Sequence, residues 1–450
     1  MRIRRHRRWM APVVAAAAVG LALTGCTGDV DSGSTDAAAD CGPYEAYGSF
    51  DSGTEVSLYG TISDVEADRL NESWADFESC TGIDVVYEPS KEFETQINVR
   101  AQGGNPPNLA IFPQPGLLAA QAAAGYLTPA PDSVVANAEE FWSEDWQAYG
   151  TVDDTVYGAP LMASVKGYVW YSPSMFSDNG WEVPTTLDEL MTLTTDIQAS
   201  GAVDKPWCVG FASGDATGWP GTDWVEDFVL RQSGPDVYDQ WVTNEVKFTD
   251  PQIQDAFDSV GEYIRNPDFV NGGLGDVNSI ATTEFGDAGL PILDGACALH
   301  HQATFYEGFW PEGTTVAPDG DVWAFLLPGT EAGANAVTGG GEIVAAYSDA
   351  EEVQAVQTYL SSDTWANNRV KIGGVISANK GLDPENASSD LLKDAVGILQ
   401  DENTTFRFDA SDLMPGAVGA GSFWKGMVDW VGGKSTVDTT TFIQDSWPQQ

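Results

Sequence analysis

Between Glu55 and Gly125 short apolar runs alternate with amphipathic stretches, and this alternation narrows the fold more than any other feature of the chain. VSLYG reads as a strand, and Ser63-Asp64-Val65-Glu66 has the form of a capping box opening a helix. Ala67, Leu70, Trp74 and Phe77 recur at three- and four-residue steps, which gives that helix one apolar face ending before Gly82. IDVVY is the next strand, and EFETQINVRAQ is a helix stopped by Gly103-Gly104. NLAIFP and GLLAAQAAAGYL repeat the pattern up to Gly125. Such alternation builds a parallel α/β sheet, and ligands of open sheets sit beyond the carboxyl ends of the strands. Tyr59 to Ser63 and Phe112 to Gln114 therefore stand on a candidate rim.

The pattern starts afresh after Val165, and 450 residues is long for one domain, so two lobes are expected. DDTVYGAPL and VKGYVWYS read as strands around the restart, followed by helical TTLDELMTLTTDIQAS and the strand PWCVGF. SGDATGWPGTDW is then a strand-to-helix loop feeding the helix WVEDFVLRQ. VWAFLLPG and GGGEIVAAYS are further strands, EEVQAVQTYLSS is a helix, and the chain from Asn386 onward is mostly helical.

Five arginines in MRIRRHRRWM precede an apolar run too short to span a bilayer, which fits a secretory signal over residues 1–25. Leu23-Thr24-Gly25-Cys26 resembles the lipobox of bacterial lipoproteins, which implies lipidation of Cys26 and anchoring to the outer face of the cell membrane. The small, acidic residues that follow cannot bury enough apolar surface to fold, so a flexible leash is expected over 26–53. The 67 Asp and Glu against 20 Lys and Arg, five of them in the leader, argue against nucleic acid or an anionic membrane face as partner. Four cysteines remain beyond Cys26, which on an exported chain implies two disulfides with three connectivities. Cys41–Cys80 and Cys208–Cys297 are favoured: one staples the leash to the first folded unit, the other joins two points of a later lobe. No pair has the spacing of zinc ligands, and adjacent His300 and His301 would point to opposite faces of a strand, so no metal is expected.

Catalytic motifs are scarce. Neither G-x-S-x-G nor H-E-x-x-H occurs, and GGKS at 432–435 has Val428 where a phosphate loop needs its first glycine. Gly339-Gly340-Gly341 lacks the third glycine of a dinucleotide fingerprint, and no cofactor is expected. A glycosidase would need two carboxyls roughly 5–10 Å apart. Asp215, Asp223, Glu226 and Asp412 are the acids that reading would use, and each can equally accept from a hydroxyl or cap a helix.

Three segments mix aromatics with Asp, Gln or Arg and with small residues: GWPGTDW, HHQATF at 300–305, and FRFDASDLMPGAVGAGSFW at 406–424. Sugars are recognised by this combination, because a ring face stacks on an aromatic while carboxylates, amides and guanidinium groups bond the hydroxyl rim. With the lipobox and the α/β start, these segments are similar to the extracellular solute-binding proteins of the maltose-binding-protein superfamily, and within it to the α-glucoside binders of ABC importers. The resemblance covers the chain beyond the leash.

It implies an α/β, two-lobed periplasmic-binding-protein fold of type II, the Venus-flytrap architecture. Lobe 1 would comprise 54–162 and 303–362, lobe 2 would comprise 166–299 and 370–450, and hinge segments would cross near 162–166, 300–302 and 365–371. The implied molecule is a monomer that closes on an α-glucoside and delivers it to membrane permease subunits without covalent chemistry. SFW resembles the turn that supplies a stacking tryptophan, which gives that role to Trp424, with Phe423 beside it. The loop after PWCVGF points to Trp219, with Ser213, Asp215 and Thr217 beside it and Asp223 and Trp224 at its end. Lys166 stands where the resemblance places a hinge acid, so the charge is reversed there. Gln114, Gln302, Arg407, Asp409 and Asp412 follow from loop position and chemistry. Tyr59, Ser63, Gly340 and Glu342 complete the expected contacts. Trp74 and Trp365 lie on helical patterns and are expected in the core.

Overall fold

The computed structural model describes residues 40–334, 336–401 and 403–448. The expected signal at 1–25, Cys26 and the start of the leash lie outside the described residues. In the first sheet, Thr54–Gly60 pairs in parallel with Ile83–Pro89 on one side and Leu109–Phe112 on the other. All four residues of LAIF are buried, as befits a strand covered on both faces. Ala336–Ala346 continues the sheet antiparallel to Leu109–Phe112, and it pairs with Gly158–Val165 and Thr405–Phe408 as well. The second sheet has the order Trp323–Leu326, Tyr168–Tyr171, Cys297–Gln302, Lys205–Cys208.

Helices cover both sheets. The helix expected to run through Phe77 is two, Asp64–Glu72 and Ala75–Thr81, because Trp74 leaves helical geometry to bury its ring. Ser73 beside it accepts a bond from Trp365 Nε1 at 3.0 Å, and both tryptophans are core, as their spacing implied. In the second lobe Trp207 and Trp224 meet edge to face at 5.1 Å, with Phe228 and Tyr263 around them. Cys41–Cys80 and Cys208–Cys297 are both bonded, with Cα separations of 5.4 and 5.8 Å. Among the described residues no helix is long and apolar enough to cross a membrane.

Two of the passages between sheets differ from those the resemblance implied. Only Lys166 and Gly167 separate Gly158–Val165 of the first sheet from Tyr168–Tyr171 of the second. A second passage lies between Leu326 and Ala336. The third is Asp409, which follows Thr405–Phe408 and leads into helix Ala410–Leu413, packed in the second lobe. Two backbone bonds stitch the three together: Lys166 N–H to Thr338 O at 2.9 Å and Asp409 N–H to Gly339 O at 2.7 Å. Residues 300–302 instead lie inside a strand of the second sheet, and 365–371 lie inside helix Asp363–Ile372. Strand 323–326 belongs to the second sheet and 405–408 to the first, the reverse of the expected lobe limits. The leash also ends before 53: a short 3-10 helix, Gly42–Tyr47, packs the buried Tyr44 on Phe77 and Tyr359.

Candidate functional site

A cleft of about 500 Å³ opens where the passages meet the carboxyl end of the first sheet. One wall is aromatic. The helix Trp219–Ser233 begins one residue after Gly218, with Pro220 in its first turn, and Trp219 is left half-buried against Phe285 at 5.1 Å and Phe305 at 6.1 Å. Phe309 extends this wall from Phe285 at 5.2 Å. Gly218 has φ +118, and a side chain there would strike the backbone of Trp424, so the two tryptophan loops touch only because this residue is glycine. Trp424 reaches the cleft from the end of a π-helical segment, Ala417–Phe423, and its buried Nε1 has no hydrogen-bond partner among the described residues.

The opposite lining is acidic. The pairing of Ala336–Ala346 with Gly158–Val165 slips between Gly341 and Ile343, and Glu342 sits at the slip, turned to the cleft beside Glu66. Burial pushes Glu342 up to about 7, helped by the negative charge of Glu66. Burial likewise pushes Glu66 up to about 6, against the pull of Arg369 and Arg69. Among the described residues no hydrogen bond is donated to the carboxyls of Glu66 or Asp412, and Glu342 accepts only from its own backbone N–H. Arg369 is buried near Glu66 and Glu342 and gives one bond to Gly373 O, while its Nε and Nη2 have no partner among the described residues.

Lys166 closes the inner end. Its ammonium bonds Asp223 at 2.8 Å and Asp409, and lies 5.4 Å from the Trp219 ring centre. Burial would lower this lysine, but Asp223 and Asp409 hold it well above its ordinary value. Burial raises Glu226 and Asp412, and the charge of Asp409 adds to both shifts. Asp223, Glu226 and Asp409 stand close enough to share one cation, and the lysine ammonium already occupies two of them.

Ten of the expected contacts line the cleft: Ser63, Gln114, Lys166, Ser213, Trp219, Gly340, Glu342, Asp409, Asp412 and Trp424. The others do not. Tyr59 is core, packed on Phe93. Asp215 is exposed on a short turn, and Thr217 bonds Ser213 N and Gly214 O within the loop. Asp223 acts behind the wall as a partner of Lys166. Trp224 falls on the core side because the helix starts early, and it stacks on His301 at 4.3 Å. Gln302 is buried in its strand and turns back to Ala303 N. Arg407 pairs with Asp239 at the surface, and Phe423 packs on Trp241 and Phe248.

Glu66, Glu94, Phe285, Phe305 and Phe309 line the cleft without having been expected there. TTEFGDAG around Phe285 carries the mark of GWPGTDW, an aromatic among Gly, Asp and Thr with no large aliphatic neighbour. Glu66 was read as the second half of a capping box. The structure makes no such bond: Ser63 Oγ turns to Asp64 at 3.0 Å, and both Ser63 and Glu66 face the cleft.

Two α/β lobes joined by short passages, with a cleft between them, define a protein that holds a solute between two halves. Residues 63–367 match the model of the bacterial extracellular solute-binding protein family, and the chain belongs to that family. It is 39% identical over 412 residues to the alpha-glucosides-binding periplasmic protein AglE of Rhizobium meliloti (strain 1021), covering 88% of this chain and 87% of that one. It is 37% identical over 399 residues to the osmoprotective compounds-binding protein GgtB of Synechocystis sp. (strain ATCC 27184 / PCC 6803 / Kazusa), covering 88% and 93%. A solved chitin oligosaccharide binding protein, 17% identical, has the same fold with a TM-score of 0.73 over 87% of this chain and 98% of its own. The family is one of binding proteins, not enzymes.

Proposed function

We propose that this protein captures an α-glucoside for an ABC importer and hands it to the membrane permease, as a monomer anchored outside the cell through a lipid on Cys26. The observation that carries the reading is the pairing of half-buried aromatic faces with carboxyls to which no other residue donates, across one cleft. The aromatic wall of Trp219, Phe285 and Phe305 takes the apolar face of a sugar ring. Glu66, Glu342 and Asp412 accept from its hydroxyls, and Trp424 Nε1 donates to a ring or hydroxyl oxygen. Contacts from both lobes favour the closed form, so binding shifts an open–closed equilibrium at Lys166–Gly167 and Asp409. The likeness to AglE supports the α-glucoside; the nearly equal likeness to GgtB makes small osmoprotective solutes the class to test beside it.

Calorimetric titration of the chain from residue 27 against maltose, trehalose, sucrose, maltotriose and glycine betaine decides between them. Micromolar or tighter binding of an α-linked glucoside is expected. Binding of the betaine alone would move the ligand class, and recovery of a cleaved sugar would overturn the function.

A further inference from the structure

A second chamber of about 200 Å³ lies next to the cleft, and Glu94 and Gln114 line both. Helices Phe93–Gln102 and Pro115–Ala123 form one side, while Ser411, Met414 and Ala420 come from the other lobe. Between the spaces stands one long hydrogen bond, Gln114 Nε2 to Glu94 Oε1 at 3.2 Å. The far atoms of both side chains, Gln114 Oε1 and Glu94 Oε2, are buried and have no partner among the described residues, although Gln114 is only 6% exposed. Buried polar atoms left unpaired are costly, and a ligand hydroxyl would relieve that cost. Asn98, also in the lining, is satisfied within the protein: it accepts from Gln121 at 2.7 Å and donates to Glu94 O at 2.9 Å.

We infer that Glu94 and Gln114 form a movable partition and that the chamber behind them receives the terminal unit of an oligosaccharide longer than a disaccharide. This rests on the sugar reading above. The two side chains exchange their mutual bond for bonds to the hydroxyls of the entering unit, whose ring fills the space between Leu117 and Met414. A disaccharide stays in the main cleft and leaves the partition shut.

The test is titration of maltose and maltotetraose into the wild type, Ala420→Leu and Gln114→Ala, with melting temperatures as a check on folding. Ala420 lines only the second chamber, so filling it is expected to weaken maltotetraose at least tenfold and to leave maltose within twofold. Gln114→Ala removes one of the two groups that bond the entering unit and is expected to weaken maltotetraose relative to maltose by threefold or more. Should Ala420→Leu fail to fold, the Gln114→Ala ratio alone decides. Unchanged ratios in a folded variant would overturn the chamber and leave the sugar reading standing. A wild type that binds neither sugar would overturn both.

Discussion

Two buried acidic regions of this molecule, one around Asp227 and one around Glu342, are built in opposite ways. Asp227 accepts from Arg231 at 2.6 Å, from Thr338 Oγ1, and shares a 2.7 Å bond with His301 Nε2. Burial would raise this carboxyl, yet Arg231 and these bonds hold it below its ordinary value. Glu342 and Glu66 lie half-buried beside one another, with no other residue donating to them, and both are raised. The first arrangement satisfies the carboxylate within the protein, although Arg231 Nη2 has no partner among the described residues, and it ties helix 219–233 to both sheets. The second is complete only when something else supplies donors. Burial of charge therefore marks a ligand site only where the protein leaves it unsatisfied.

Breaking the complete region should have the largest effect. Asp227→Ala strands the buried Arg231 and should cost about 3–5 kcal/mol of stability in a urea melt. Ligand affinity of the folded fraction should stay within a few fold. On the cleft side Trp219→Ala should reverse the pattern: a loss of about 2 kcal/mol in binding, roughly thirtyfold in Kd by calorimetry, with a smaller change in melting temperature.

The pH dependence sharpens the contrast. The carboxyls of Glu342 and Glu66 are raised from an ordinary value of 4.5 to about 7 and about 6. The folded state thus binds more protons than the unfolded one across that window, and stability falls as pH rises through it. The ligand-free protein should melt higher at pH 5 than at pH 7.5 as far as these groups act, and Glu342→Gln should flatten the difference. Asp227, held low, contributes the other way only below its ordinary range. The smallest effect belongs to Arg407→Ala, which breaks a surface pair with Asp239 and should change stability by under about 1 kcal/mol and affinity not at all.

The first sheet was legible because its strands and helices carry clean periods bounded by glycines. Both disulfides were legible because four cysteines leave few choices. The passages were harder, since they depend on which sheet a strand joins, and the short apolar runs FRF and WAFL carry no mark of their partner. Among the site residues, Trp219 stood in a loop too rich in Gly and Asp to be core, and Trp424 followed from the resemblance of SFW to a turn that carries a stacking tryptophan. Trp224 could not be separated from Trp219 without knowing that the helix begins at Trp219, which turns the later tryptophan inward. Glu342 was reached through its place in GGGEIV, but its isolation from donors is a property of packing. Phe285 and Glu94 came together with the site only through tertiary contact.

The central claim is that the unpaired acids of the cleft meet their donors on the ligand. Titrating maltose at pH 6.5 in two buffers of different ionisation enthalpy tests it most directly. Hydroxyls that bond Glu342 and Glu66 favour their charged forms, so binding should release protons and the observed heat should change with the buffer. Tight binding with the same heat in both buffers would show that the ligand leaves these carboxyls as they were and would contradict the account.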